Sequence, residues 1–150
     1  MPDKWDIASY DRDNKLVLAV EVKSKRNASP EWAAQLRRNI LAHGTFPNAP
    51  YFLIAYPDRF YLWKNTPSNL ESTPPTYSVD PGEIFKSYLK KSDIKIEELG
   101  AESLKLIVGS WLHIIMHTPA EQLDISQHWL IDTDLHAAVL GGHLNHEVSA

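Results

Sequence analysis

Residues 15–23 read Lys-Leu-Val-Leu-Ala-Val-Glu-Val-Lys, and this stretch decides the fold. Its run of aliphatic and β-branched residues predicts a strand that is covered on both faces, as in the interior of a sheet. Trp5–Tyr10 predicts another strand before it, and the turn-forming residues Asp11-Arg12-Asp13-Asn14 separate the two. The chain therefore opens with a predicted β-hairpin.

A helix is predicted to follow, beginning at Ser29-Pro30-Glu31 with Ser29 as N-cap and running to about His43, where Gly44 ends it. The next predicted elements are strands at Tyr51–Tyr56 and Phe60–Lys64, an exposed loop over 65–80, and helices at Pro81–Lys91 and Ala101–His117. One more short helix and a weakly ordered end complete the chain. This order indicates a single α/β domain with a mixed β-sheet flanked by helices: a core over 1–64, the loop, and a helical C-terminal extension over 81–150.

Length and composition narrow the class of protein. The chain has 150 residues, 43% of them hydrophobic, and no cysteine. The length is typical of one domain. The absence of cysteine excludes disulfides and thiolate catalysis and favours the reducing cytoplasm. No apolar run is long enough to span a bilayer, so we expect no membrane partner.

Charge is divided unevenly along the chain. Residues 1–95 carry fourteen Lys or Arg and eleven Asp or Glu, whereas residues 96–150 carry eight acidic residues and a single basic one, Lys105. The net charge of −4 thus combines a basic first part with an acidic tail. A nucleic-acid partner is compatible with the first part only.

The predicted hairpin brings two carboxylates together. If the turn is the two-residue loop Asp13-Asn14, Asp6 lies directly opposite Glu21, and Lys23 shares their face of the sheet. The other face is apolar and belongs to the core, with Trp5, Ile7, Leu16, Leu18, Val20 and Val22.

Opposed carboxylates repel each other unless a cation compensates them. Asp6, Glu21 and the Val22 carbonyl offer the hard oxygen ligands that Mg²⁺ (or Mn²⁺) prefers, and Lys23 could position a water and stabilise charge on a phosphate. The alternative is purely structural: Asp6 is an acid near a turn, and Glu21 and Lys23 form a surface ion pair.

The motif Trp5-Asp6-Ile7, followed by Glu21-Val22-Lys23 on the next strand, resembles the PD-(D/E)XK nuclease superfamily. Asp3, which follows Pro2, is the weaker match to the family's Asp. The resemblance covers about Met1–Lys64. It implies a restriction-endonuclease-like fold and a Mg²⁺-dependent endonuclease acting on DNA. It also implies catalytic roles for Asp6, Glu21, Lys23 and, on the following helix, Gln35.

The sequence departs from the family before the Asp strand, where members usually have another strand and a helix. We therefore expect a shortened core whose sheet is completed by the C-terminal helices, by a partner or by a second copy in a homodimer. The competing hypothesis is a catalytically inactive restriction-endonuclease-like module that acts in binding or assembly.

Cations surround the proposed centre. Lys25, Arg26, Arg37 and Arg38 are candidates for contacts with a nucleic-acid backbone, although a solvated helix face would look the same. On the predicted helix, Glu31, Gln35 and Arg38 share one face, and the opposite face is expected to bury Trp32, Leu36 and Ile40.

Histidines supply one further candidate site. His113 and His117 are four residues apart on a predicted helix, a spacing that can ligate zinc, but no HExxH motif accompanies them.

Overall fold

The computed structural model describes residues 6–43, 48–67 and 72–146, and in this part of the chain six strands form one mixed sheet. The strands are β1 (Ile7–Tyr10), β2 (Leu16–Val22), β3 (Tyr51–Ala55), β4 (Phe60–Lys64), β5 (Tyr77–Val79) and β6 (His143–His146). Their order across the sheet is β5-β4-β3-β2-β1-β6. The predicted α/β class with a mixed sheet is confirmed.

Five α-helices flank the sheet within the described residues: α1 (Pro30–His43), α2 (Gly82–Leu89), α3 (Ala101–Ile115), α4 (Trp129–Asp132) and α5 (Leu135–Val139). The Ser29 hydroxyl accepts a hydrogen bond from the Trp32 N–H at 3.0 Å, as expected of the N-cap of α1. The predicted end of this helix, Gly44, lies outside the described residues. None of the described helices is long and apolar enough to cross a membrane.

The sheet separates two apolar cores. On one face, Ile7, Leu18, Val20 and Val22 pack against α2–α5, which contribute residues such as Phe85, Leu104, Trp111 and Leu130. On the other face, Ala19, Phe52 and Ile54 pack against Ala33 and Ala34 of α1. The predicted apolar face of the hairpin is thus confirmed for Ile7, Leu18, Val20 and Val22, whereas Leu16 packs against the α1 core and Trp5 lies outside the described residues.

The connection β2–α1–β3 sets the topology. β2 and β3 are parallel, with Glu21 paired to Ile54, so their chain must cross over the sheet, and α1 makes that crossover. The neighbouring pairs β1–β2 and β3–β4 are antiparallel hairpins. As a result, the carboxyl ends of β2 and β3 lie side by side at the same end of the sheet.

The hairpin turn differs from the prediction, although the register of Ile7–Ser9 does not. The Asp11 N–H donates to the Lys15 carbonyl at 2.9 Å, which leaves Arg12–Asn14 as a three-residue loop, with Asn14 in the left-handed region at φ 66°. A bulge at Val17 then shifts the pairing by one residue, and Ile7 pairs with Val20 as predicted. The bulge also explains why Leu16 faces the α1 core.

Two strands were missed from the sequence. β5 lies within the predicted loop 65–80, and β6 lies where a short helix and a weakly ordered end were expected. β6 pairs antiparallel with β1 along its whole length. The outer edge of β1, expected to be open to helices, a partner or a second copy, is therefore paired with a strand of the same chain.

The burial of α1 also corrects the sequence interpretation. Trp32, expected in the buried stripe, is 52% exposed, and Leu36 and Ile40 are only partly buried. The residues buried against the sheet are Ala33, Ala34 and Arg37. The face of α1 that is buried thus consists of two small alanines and an arginine, and the large side chains expected there lie nearer its surface.

A substitution at Gly142, the residue just before β6, tests how closely β6 docks on β1. A Cβ atom at this position would clash with the backbone oxygen of Tyr10, the last residue of β1. We expect Gly142→Ala to lower the free energy of unfolding by about 1–3 kcal/mol because backbone must shift to relieve the clash. Urea unfolding monitored by tryptophan fluorescence measures the change.

Gly100→Ala is the matched control, since a Cβ there meets nothing within 4 Å. Its stability should stay within about 0.5 kcal/mol of the wild type. Equal stability of the two variants would show that β6 does not dock on β1 as described.

Candidate functional site

Asp6 lies in a bend directly before β1, and the paired residues of β1 and β2 end at Ile7 and Val20, one position before Asp6 and Glu21. Its Oδ2 accepts a hydrogen bond from the Val22 N–H at 2.8 Å. Its Oδ1 lies 3.6 Å from the Nζ of Lys105 on α3. The predicted position of Asp6 beside the end of β2 is thus supported, and its carboxylate has two neighbours that the sequence analysis did not identify.

Glu21 is the one acidic residue of β2 and is only 8% exposed. By alternation it shares its face with Ala19, and across the parallel pair it matches Ile54; both neighbours belong to the α1 core. A carboxylate at such a position is costly unless it is compensated. This burial separates Glu21 from an ordinary surface acid, as the apolar context of its strand indicated.

Lys23 continues the sheet beyond β2. Its N–H donates to the Ala55 carbonyl at 3.0 Å, so the parallel ladder extends by one residue and Lys23 lies on the same face as Glu21. The loop after Lys23 is hydrogen-bonded to the turn after β3, because the Asn27 N–H donates to Asp58 Oδ2 at 2.9 Å. Glu21 and Lys23 therefore lie on ordered backbone.

Lys105 was noticed in the sequence only as the single basic residue of the acidic tail. Its Nζ lies between two carboxylates, 3.6 Å from Asp6 and 3.7 Å from Glu102, and its side chain is 21% exposed. α3 packs on the face of the sheet opposite to α1. The cation beside Asp6 therefore comes from the helical layer that contains α3, whereas Glu21 is on the face of the sheet that α1 covers.

Gln35 lies on the exposed face of α1. At 100° per residue it projects about 150° away from the face of α1 that is buried through Ala33, Ala34 and Arg37. Its predicted role in supporting a water or DNA beside the carboxylates stays a prediction.

Arg37, a predicted nucleic-acid contact, is 3% exposed. Its guanidinium donates to the Thr66 carbonyl at 2.8 Å and lies 5.4 Å from the ring centroid of Phe52 and 5.7 Å from that of Trp63. Desolvation lowers its pKa. Arg37 therefore anchors α1 to the sheet, and its charge does not face a partner.

The other predicted contacts, Lys25, Arg26 and Arg38, are exposed. The Nζ of Lys25 lies 4.3 Å from the ring centroid of Trp32, which explains why this tryptophan remains at the surface. Cations and an exposed aromatic ring are therefore found together near the amino end of α1.

Tyr56 is a buried polar residue that the sequence analysis assigned only to the core. It follows β3 on the face of Ile54, and its side chain is 0% exposed. Its hydroxyl has no hydrogen-bond partner among the described residues, and burial raises its pKa to about 12. The neighbouring Tyr61 hydroxyl, in contrast, donates to the Ala28 carbonyl at 2.7 Å.

Metal-ligand chemistry at the site is limited to two carboxylates. Within ranges 6–43, 48–67 and 72–146, no three His, Cys, Asp or Glu residues converge in a way that could hold a metal ion. The predicted set of Asp6, Glu21 and the Val22 carbonyl contains only two such side chains. Its hard oxygen atoms fit Mg²⁺ or Mn²⁺ chemically, with water as the remaining ligands.

Comparison with known proteins returns no match to any protein-family model, curated protein or solved structure. The resemblance to the PD-(D/E)XK superfamily therefore rests on the motif and its placement alone.

The two tyrosines provide a paired test of burial at this face. Tyr56→Phe removes a hydroxyl without a partner in the described structure, so stability should stay the same or rise by up to about 1 kcal/mol. Tyr61→Phe leaves the Ala28 carbonyl without its donor and should cost about 1 kcal/mol. Urea midpoints of both variants check this. A loss in Tyr56→Phe as large as that in Tyr61→Phe would contradict the assignment.

Proposed function

We propose that the chain is a restriction-endonuclease-like domain that hydrolyses phosphodiester bonds of DNA with the help of Mg²⁺ or Mn²⁺. The observation that carries this proposal is the hydrogen bond from the Val22 N–H to Asp6, which brings this carboxylate to the end of β2, beside the buried Glu21. Lys23 follows on the same face as Glu21 by strand alternation. Asp6 comes just before one strand, Glu21-Val22-Lys23 ends the antiparallel strand beside it, and a crossover helix and a parallel strand follow. This order supports the resemblance to the family.

Each residue has a distinct role in this proposal. Asp6, Glu21 and the Val22 carbonyl would hold the ion, whose chemistry is to acidify water and polarise a phosphate. Lys23 would orient the attacking water and stabilise negative charge on the phosphate. The exposed Lys25, Arg26 and Arg38 would contact the DNA backbone, which positions the substrate without reading its sequence.

Lys105 has to be accounted for at such a centre. Its ammonium group already neutralises part of the charge on Asp6. A divalent ion bound by Asp6 would repel this lysine, and Lys105 would have to turn toward Glu102, which is within 3.7 Å. Lys105 thus competes with the ion for the same carboxylate.

Cleavage of supercoiled plasmid DNA in Mg²⁺ buffer tests the main proposal. We expect Glu21→Gln and Lys23→Ala to lower the cleavage rate at least about a hundredfold, since one loses an ion ligand and the other the charge beside the phosphate. Lys15→Ala is the matched control, because Lys15 precedes the same strand at its opposite end and is exposed. Equal cleavage by the wild type and both site variants would refute the proposal.

Calorimetric titration with Mn²⁺ tests the competition at Asp6. Lys105→Met removes the competing cation, so the affinity for Mn²⁺ should rise by about tenfold, equivalent to ~1.4 kcal/mol. Asp6→Asn should abolish binding in either background. Unchanged affinity in Lys105→Met would show that the ion and the lysine do not share this carboxylate.

A second candidate is a binding or assembly module without turnover. It is favoured by the ion pair with Lys105 and the hydrogen bond from Val22, which compensate Asp6 without any metal ion. In that case the wild type would neither bind Mn²⁺ nor cleave DNA, and Lys105→Met would lower stability instead of raising metal affinity.

A further inference from the structure

His113 and His117 form an imidazole pair at the carboxyl end of α3. His113 lies in the last turn of the helix, and His117 follows two residues after its end. Their ring centroids are 4.7 Å apart, and the ring planes are inclined by 51°. Both side chains are exposed, so a metal ion can reach the pair without any rearrangement of the core.

The tautomer of His117 is set by the backbone. Its Nδ1 lies 2.8 Å from the His113 carbonyl oxygen. Because a carbonyl can only accept, this nitrogen carries the proton, and the lone pair of the imidazole is left on Nε2. A neutral imidazole whose second nitrogen donates to a carbonyl is the usual form of a histidine metal ligand.

The ring separation is compatible with one shared ion. With metal–nitrogen bonds of about 2.0–2.1 Å, two imidazoles on the same ion have centroids about 4.5–5.5 Å apart, depending on the angle between the bonds. The observed 4.7 Å falls in this range. The last turn of α3 and the residues after it therefore hold the two rings at a centroid distance that one shared ion requires.

The surroundings select the kind of ion. The pair lines a cavity of about 710 Å³ that also contains His143 and apolar residues, and no carboxylate belongs to its described lining. Imidazole nitrogen without oxygen ligands suits Zn²⁺, Ni²⁺ and Cu²⁺ and does not suit Mg²⁺. This chemistry is opposite to that proposed for Asp6 and Glu21.

We propose that His113 and His117 chelate a first-row transition-metal ion of the Zn²⁺, Ni²⁺ or Cu²⁺ class. Water or a ligand in the cavity fills the remaining coordination positions, because the described residues bring no third His, Cys, Asp or Glu to the pair. His143 stacks on Tyr10 with ring centroids 5.5 Å apart, and it does not converge with His113 and His117 into a three-ligand group. The site does not depend on the proposed nuclease activity.

Titration of the untagged full chain with Ni²⁺, followed by calorimetry, tests this site. We expect one ion per chain at the pair, and His113→Ala or His117→Ala should each weaken that binding at least about tenfold, since chelation is lost with either ring. Both substitutions are at exposed positions, so thermal unfolding of the ion-free variants should match that of the wild type.

His143→Ala is the matched control, because this exposed histidine lines the same cavity. It should bind Ni²⁺ as the wild type does, and so should Asp6→Asn, which separates this site from the proposed magnesium centre. Wild-type affinity in both His113→Ala and His117→Ala would overturn the proposal. A loss in His143→Ala as large as that in His113→Ala would also overturn it.

Discussion

The rest of the structure depends on the burial of β2 on both of its faces. Val20 and Val22 face the helices α2–α5, and Ala19 faces α1, so this strand needs a helical layer on each side. The parallel neighbour β3 satisfies the same requirement, because a parallel pair can only be connected by a crossover that covers one face. Burial of these two central strands thus determines the three layers.

The same burial creates an electrostatic problem at the end of β2. Glu21 lies in a strand that is otherwise apolar, and Asp6, just before β1, reaches the same end of that strand. Lys105 on α3 places a positive charge beside Asp6, and the Val22 N–H donates a hydrogen bond to the same carboxylate. The proposed nuclease and the proposed inactive module differ in the cation that neutralises Asp6, which is a divalent metal ion in the nuclease and Lys105 in the module.

Charges elsewhere are also compensated by packing. Arg37 is buried on α1, where it donates to the Thr66 carbonyl and lies against two aromatic rings. From the sequence it could not be told from the exposed Arg38, since adjacent arginines have the same local pattern. Only the packing of α1 on the sheet, which buries the face that carries Ala33, Ala34 and Arg37, separates them.

Local patterns in the sequence determined the central part of the fold: the hairpin, the crossover helix, β3 and β4. The register of Ile7–Ser9 was predicted correctly from an incorrect turn, because the longer loop and the bulge at Val17 shift the pairing in opposite directions. Burial of one apolar face allows no single-residue slip, so the register is encoded more strongly than the turn.

Only the tertiary structure decided which residues from distant parts of the chain contact this central part. It pairs β6 with β1, brings Lys105 to Asp6, and leaves Gln35 on the exposed face of α1. Such contacts depend on how complete layers pack, and a short strand such as β6 gains its order from the open edge beside it. Residue patterns specify local elements, whereas the choice of partner across about a hundred residues is made by burial of the assembled sheet.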